Sequence, residues 1–357
     1  MSASFEVSSS TGAYGVEIVP GSFAALAKAT GDVVTVCDER FAKDLGGGRV
    51  LALAADESTK SLEAMPAIIS RLRELGATRS TRLVAVGGGI VQDVAAFCAS
   101  VYMRGLVWEY WPTTLLGMVD SCIGGKSSIN AGAYKNLVGT FHPPETIRID
   151  PRLAASLSIE QRVAGLCEAV KICFAGGDEP FAAYLARNPE VAMGEVELEG
   201  VIHSTLLTKK WFIEVDEFDR AERLLLNFGH TFGHAIEAAS AFAISHGVAV
   251  GLGMLCAAEL GARRGFDYAK VARVRQLVAH TEALLAKVAG LAQALGRVDP
   301  AAATERLLAD KKHGADFLAV IAIDAQGHLE RLKLPRTPES LDTIRGVFAA
   351  IIARYGA

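Results

Sequence analysis

The chain's 357 residues exceed the usual size of one hydrophobic core, which favours two domains over one. Hydrophobic residues at 51% and charged residues at 21%, with 35 Gly and 11 Pro, exclude a disordered, collagen-like or linker-like chain. Lys and Arg total 36 against 40 Asp and Glu, a formal net charge of -4, so no basic excess draws the protein to nucleic acid, while a local basic pocket for a small anion stays compatible with that average.

From the N-terminus, MSASFEVSSS lacks the basic start and apolar core of a secretory signal, and no run of about 18 uncharged apolar residues spans a bilayer, so a cytoplasmic protein with no membrane partner is expected. Val33 to Cys37, Val50 to Ala54, Arg82 to Val86 and Val107 to Trp111 read as strands. Between them Ser61 to Gly76 carries Leu62, Met65, Ile68, Ile69, Leu72 and Leu75 at helical spacing, and Ile90 to Met103 forms a second helix after a glycine turn. Such alternation predicts parallel strands joined by crossover helices. Beyond Asp150 and Pro151 the segments turn helical: Ile159 to Phe174, Val196 to Glu214, Gly233 to Ala241, Gly247 to Arg264 and Lys270 to Leu295, with Gly247 to Ala258 short and Gly-rich enough for a close-packed buried helix. Phe317 to Leu334 reads as two strands about an Ala-Gln-Gly turn. The expected organisation is therefore an α/β domain over residues 1-151 and a mainly helical one over 152-357. Six dispersed cysteines without a CxxC spacing are expected to stay reduced.

Several segments carry chemistry. Gly87-Gly88-Gly89 follows a strand and opens a helix, where bare backbone can approach a pyrophosphate and helix amides face its charge; glycines after strands also serve simply as turns, and the last glycine of G-x-G-x-x-G is here Gln92. Cys122 to Ser128 supplies a Gly pair and Lys126, with Lys135 and Asn136 close behind, a set suited to phosphate although it is no Walker loop and, taken alone, reads slightly better as a loop with solvated lysines. His230 and His234 lie four apart on one helix face, with His246 downstream and Glu168 upstream. Imidazoles with a carboxylate form a common site for a divalent cation such as zinc. Glu168 and Lys171, three apart on an otherwise apolar helix, are costly there unless paired or bound. Lys209, Arg223 and Asn227 add donors for an anionic substrate.

The set VGGGIVQD, YMRG, PTTLLGMVDSCIGGKSSIN, YKNLVGTFHPP, CEAVK, LLNFGHTFGHAIE and SHGVAVGLGM resembles the 3-dehydroquinate synthases and their sugar phosphate cyclase relatives, from about Glu57 to Met254. That resemblance implies a Rossmann-like NAD-binding α/β domain followed by a mainly helical metal-binding domain, assembled as a homodimer. By the same resemblance Glu168, His230 and His246 are the ligands of a divalent metal, zinc or cobalt, while His234 falls beside the substrate phosphate. Glu57, Lys60, Gly88, Gly89, Asp93, Thr113, Thr114 and Asp120 fall where the family binds NAD or frames its site. Lys126, Asn136, Asn227 and His234 resemble the phosphate cradle. Lys135, Lys171, Lys209 and Arg223 resemble the groups around the substrate hydroxyls and carboxylate, Lys311 or Lys312 a further lysine, and Arg104 the arginine lent by the neighbouring subunit.

The implied reaction turns 3-deoxy-D-arabino-heptulosonate 7-phosphate into 3-dehydroquinate and phosphate. It proceeds through transient oxidation by NAD, elimination of phosphate, return of the hydride and intramolecular aldol closure. Arg223 and Lys209 favour this carboxylate-bearing sugar over sedoheptulose 7-phosphate. Competing expectations are a cyclase making an aminodehydroquinate, a valiolone or an inosose, and a metal-dependent glycerol or alcohol dehydrogenase.

Overall fold

A computed structural model describes residues 3–26, 31–46, 48–132, 134–309 and 313–356. The chain forms two compact units, Met1–Leu157 with Leu198–Glu217, and Ser158–Glu197 with Phe218–Ala357. A single cut after residue 151 therefore follows the order of the chain but not its packing, because the segment Leu198–Glu217 returns to the first unit.

The strands of the first unit are β1 (Ala3–Ser9), β2 (Gly12–Ile18), β3 (Val33–Asp38), β4 (Val50–Leu53), β5 (Arg82–Gly87), β6 (Trp108–Pro112), β7 (Ile129–Ala131), β8 (Tyr134–Val138) and β9 (Thr146–Ile149). Seven of them form one sheet in the order β1-β2-β9-β6-β5-β3-β4. Only the hairpin β1–β2 is antiparallel within it; every other pair is parallel. The near-continuous burial of β5 and β6 is the mark of strands covered on both faces. The edge strand β1 is not left bare: the amides of Ser8 and Ser10 donate to the carboxylates of Glu214 and Glu217, each at 2.8 Å, from the returning segment.

The first crossover helix is Met65–Glu74, four residues shorter at its start than its apolar spacing suggests. Pro66 sits at the helix start, where its missing amide costs nothing. The residues before it are engaged elsewhere, with Leu62 donating its amide to the Asn130 carbonyl at 2.7 Å. The second helix, Gly89–Val101, follows β5 directly.

Among the described residues the second unit is helical apart from one hairpin. Helix Ile159–Ala175 opens with a complete capping box between Ser158 and Gln161. Helix His246–Arg263 packs between it and helix His230–Ala239 and is buried almost throughout. Its glycines decide how close the three come: a Cβ on Gly247 would lie 2.4 Å from the Ala164 carbonyl oxygen, and one on Gly253 only 1.9 Å from that of Gly229. The helix expected from Lys270 to Leu295 divides into Ala272–Leu285 and Leu291–Gly296, because Gly290 takes a left-handed conformation between them. The hairpin β10 (Phe317–Ile323) and β11 (Leu329–Pro335) forms about the Ala325-Gln326-Gly327 turn, and helix Pro338–Tyr355 ends the unit. All six cysteines are buried, and none is disulfide-bonded. Among the described residues no helix is long and apolar enough to cross a membrane.

Candidate functional site

In the first unit the turn after β5 meets helix Gly89–Val101 end on. Gly88 is the helix N-cap and brings no side-chain cap; a Cβ there would lie 2.9 Å from the Thr114 methyl, whereas nothing stands within 4 Å of the Gly89 position. Thr113, 2% exposed, holds its main chain to the Gly87 carbonyl, while its hydroxyl has no hydrogen-bond partner. An uncapped helix start, open space at Gly89 and an orphaned hydroxyl fit a pyrophosphate.

Around this turn Lys60 forms an ion pair of 2.6 Å with Asp93, whose other oxygen accepts the Ser128 amide at 2.9 Å. Burial outweighs the Lys60 charge and lifts the Asp93 carboxyl to about 6. Asn130 joins further expected residues: its amide donates to the Glu57 carboxylate at 2.7 Å, and its carbonyl accepts the Asn136 amide at 2.9 Å. Lys135 stands 3.9 Å from Glu57, and the exposed Lys126 lies over the Phe141 ring. Asp120 sits in the irregular turn Gly117–Ser121, and its carboxylate and carbonyl both accept from Lys209, which is 5% exposed. Thr114 caps the start of that turn, accepting the Gly117 amide. Gln92, which breaks the glycine pattern, braces the turn by donating to the Ser121 carbonyl at 2.6 Å.

In the second unit, helix Ile159–Ala175 carries Glu168, 1% exposed, and Lys171, 2% exposed, joined at 2.6 Å. The other Glu168 oxygen lies 3.4 Å from His246 Nε2 and 3.9 Å from His230 Nε2. Four ligands 2.0–2.1 Å from a tetrahedral zinc are about 3.3 Å apart, so these separations approach the edges of such a polyhedron. Both rings are tied on the far side, His230 Nδ1 to the Phe228 carbonyl at 3.2 Å and His246 Nδ1 to Glu237 at 3.1 Å. Those bonds turn each Nε2 towards Glu168, the usual arrangement of imidazole ligands held through Nδ1. His234 comes within reach too: one ring nitrogen from each of His230, His234 and His246 lies within 4.8 Å of the others. The local field favours a cation. Burial opposes charge on His246, yet Glu168 and Glu237 overcome it and raise the ring to about 9. These donors fit a divalent ion of zinc or cobalt type.

Arg223, 4% exposed, and Asn227 lie in the short helical turn Glu222–Asn227 that leads into His230. Arg104 is exposed and, with Met103, occupies left-handed backbone at φ 71 and 48. Lys311 and Lys312 lie outside the described residues. Glu237, Asn130 and the Phe228 carbonyl are absent from the residues expected from sequence. Only Glu237 had a readable signal, since it falls seven residues after His230 on the same helix face.

A family profile described as 3-dehydroquinate synthase N-terminal matches residues 50–164, and one described as 3-dehydroquinate synthase C-terminal matches residues 165–313. The 3-dehydroquinate synthase of Saccharolobus solfataricus is 34% identical over 315 residues, which cover 86% of this chain and 85% of that protein. The 3-dehydroquinate synthase of Xylella fastidiosa strain M23 is 36% identical over 297 residues, 79% of this chain and 76% of its own. Among solved structures, a 2-deoxy-scyllo-inosose synthase complexed with carbaglucose-6-phosphate, NAD+ and Co2+ superposes with a TM-score of 0.83 at 24% identity, covering 98% of this chain and 99% of that one. A 2-epi-5-epi-valiolone synthase from Streptomyces hygroscopicus subsp. jinggangensis with NAD+ and Zn2+ bound gives a TM-score of 0.78 at 22% identity over 96% of this chain and 97% of its own. Those two likenesses speak for the fold, an α/β Rossmann-like part followed by a helical one. With both profiles matched and identity sustained over most of the length, the chain belongs to the 3-dehydroquinate synthase family.

Proposed function

We propose that this protein is a 3-dehydroquinate synthase, a phosphate-eliminating lyase that closes 3-deoxy-D-arabino-heptulosonate 7-phosphate to 3-dehydroquinate and works as a homodimer in the cytoplasm. The observation that carries this reading is the convergence of Glu168, His230 and His246 beside Lys171, in a chain whose curated relatives bear that activity. When bound, NAD supplies a reversible hydride acceptor and the divalent cation a Lewis acid for the substrate's hydroxyls. Gly88, Gly89, Thr113 and Thr114 receive the dinucleotide, with Glu57, Lys60, Asp93 and Asp120 framing it. Glu168, His230 and His246 hold the cation. Lys126, Asn136, Asn227 and His234 grip the phosphate so that one of its own oxygens accepts the proton lost as it leaves, which removes the need for a separate carboxylate base. Lys135, Lys171 and Lys209 orient the hydroxyls, and Arg223 takes the carboxylate through a bidentate pair. Arg104 serves the site of the neighbouring copy; its exposure and left-handed backbone, a conformation costly for a non-glycine residue, support a role beyond its own subunit.

The test is product analysis with purified protein, NAD, divalent metal and each sugar phosphate. Stoichiometric phosphate and dehydroquinate without net NADH are expected, with light scattering reading twice the chain's mass. Turnover of sedoheptulose 7-phosphate alone would assign another cyclase, and accumulation of NADH without phosphate a dehydrogenase.

A further inference from the structure

We propose that Glu237 is a positioning residue for the cation site: it accepts the Nδ1 proton of His246 in a hydrogen bond and so fixes the ring with Nε2 as the donor nitrogen facing Glu168. This rests on the assignment of Glu168, His230 and His246 as ligands and goes beyond it, since the carboxylate of Glu237 is placed behind a ligand and not on the cation.

The geometry separates the two imidazoles by how they are held. The His230 side chain is 15% exposed and meets a main-chain carbonyl, so packing and backbone together orient it. His246 is different: its side chain is 39% exposed and it is the first residue of its helix, so packing, chiefly against the His230 and His234 rings 5.3 and 5.4 Å away, constrains its ring less. The contact of 3.1 Å between its Nδ1 and Glu237 Oε2 supplies the missing constraint. A carboxylate behind an imidazole fixes the tautomer and raises the basicity of the other nitrogen, which a neutral carbonyl does less strongly. Glu237 also anchors the loop that carries His246. Its carbonyl accepts the Phe242 amide at 2.9 Å and the Ser240 hydroxyl at 2.9 Å, while Ser240 in turn accepts the Ile244 amide. Those loop contacts involve the main chain of Glu237, so a side-chain substitution removes the ring contact while leaving the loop's ties in place.

Cobalt(II) is the probe, titrated into dialysed protein against a competing chelator and followed by its visible absorption. Glu237→Ala should weaken cobalt affinity by about 10- to 100-fold and shift the absorption bands. Glu237→Gln, whose amide oxygen still accepts the Nδ1 proton, should recover most of the affinity, whereas Glu237→Met, which fills similar space without an acceptor for that proton, should bind as weakly as the alanine variant. Thermal melting of the metal-free proteins reports folding separately. If the alanine variant does not fold, Glu237→Asp, one methylene too short to make the contact, takes its place. His246→Ala serves as the control and should lose cobalt binding. Wild-type affinity and spectrum in Glu237→Ala, with His246→Ala impaired, would overturn the positioning role alone; undiminished binding in His246→Ala would overturn the ligand assignment beneath it.

Discussion

Arg223 is a guanidinium with 4% of its surface exposed, and such a group is kept in a fold only where hydrogen-bonding partners or a ligand compensate its lost hydration. If it receives the substrate's carboxylate, Arg223→Ala should weaken kcat/KM for the heptulosonate phosphate by about 2 to 5 kcal/mol, the cost of leaving a desolvated charge unpaired. Steady-state kinetics check this, and unchanged parameters would remove the reason for preferring a carboxylate-bearing sugar. At this scale the sequence was legible where spacing is short. Glu168 and Lys171 announced their pairing by an interval of three on an apolar helix, and the histidine cluster announced a cation. It was silent on the Phe228 carbonyl, since a main-chain oxygen has no letter of its own. It was equally silent on the bond between Lys209 and Asp120, 89 positions apart, which no local periodicity encodes.

Elements bring Glu168, His230 and His246 together by close approach. Helix His246–Arg263 lies against Ala164 at Gly247 and against Gly229 at Gly253, so Glu168 and the two histidines sit on three helices whose separation is set by missing side chains. Gly253→Ala should destabilise the protein by about 3 kcal/mol or more, because its methyl would stand 1.9 Å from a carbonyl oxygen that cannot step aside. Denaturant unfolding measures the loss, and metal content after dialysis should fall with it. Much of this level was readable: the four strand segments, the buried glycine-rich helix and the late hairpin all form within a few residues of their expected places. The rest failed for identifiable reasons. Ser61 to Ala64 continued a helical spacing but is spent on pairing with Asn130, and the apolar period from Lys270 to Leu295 ran through Gly290, whose left-handed turn periodicity does not register. The hairpin β1–β2 did carry a signal, the alternation of Tyr14, Val16 and Ile18 into the core.

Across the molecule, part of the acid sensitivity reflects one half-buried imidazole. His280 accepts or donates a hydrogen bond of 3.0 Å with the buried Tyr184 hydroxyl, and burial lowers the ring from 6.5 to about 4. The unfolded chain therefore binds a proton between those values that the native one refuses, so stability falls as pH drops from about 6.5 towards 4 and gains nothing above it. The share of the unfolding free energy that belongs to His280 should lie about 2 kcal/mol lower at pH 5 than at pH 7, opposed by the Asp93 carboxyl, which the fold raises to about 6 and which works the other way. His280→Gln should flatten that share of the slope, as urea titrations of both proteins at the two pH values would reveal.

The chain passes from its first unit to its second, returns for Leu198–Glu217, and leaves again. Neither unit is thus a contiguous stretch of the gene. A crossover exchanging the first 157 codons with those of a distant relative would marry one ancestor's Asp120 to another's Lys209 and set foreign glutamates against β1. A junction there breaks contacts inside the first unit itself, which a junction placed to keep Leu198–Glu217 with its sheet would spare.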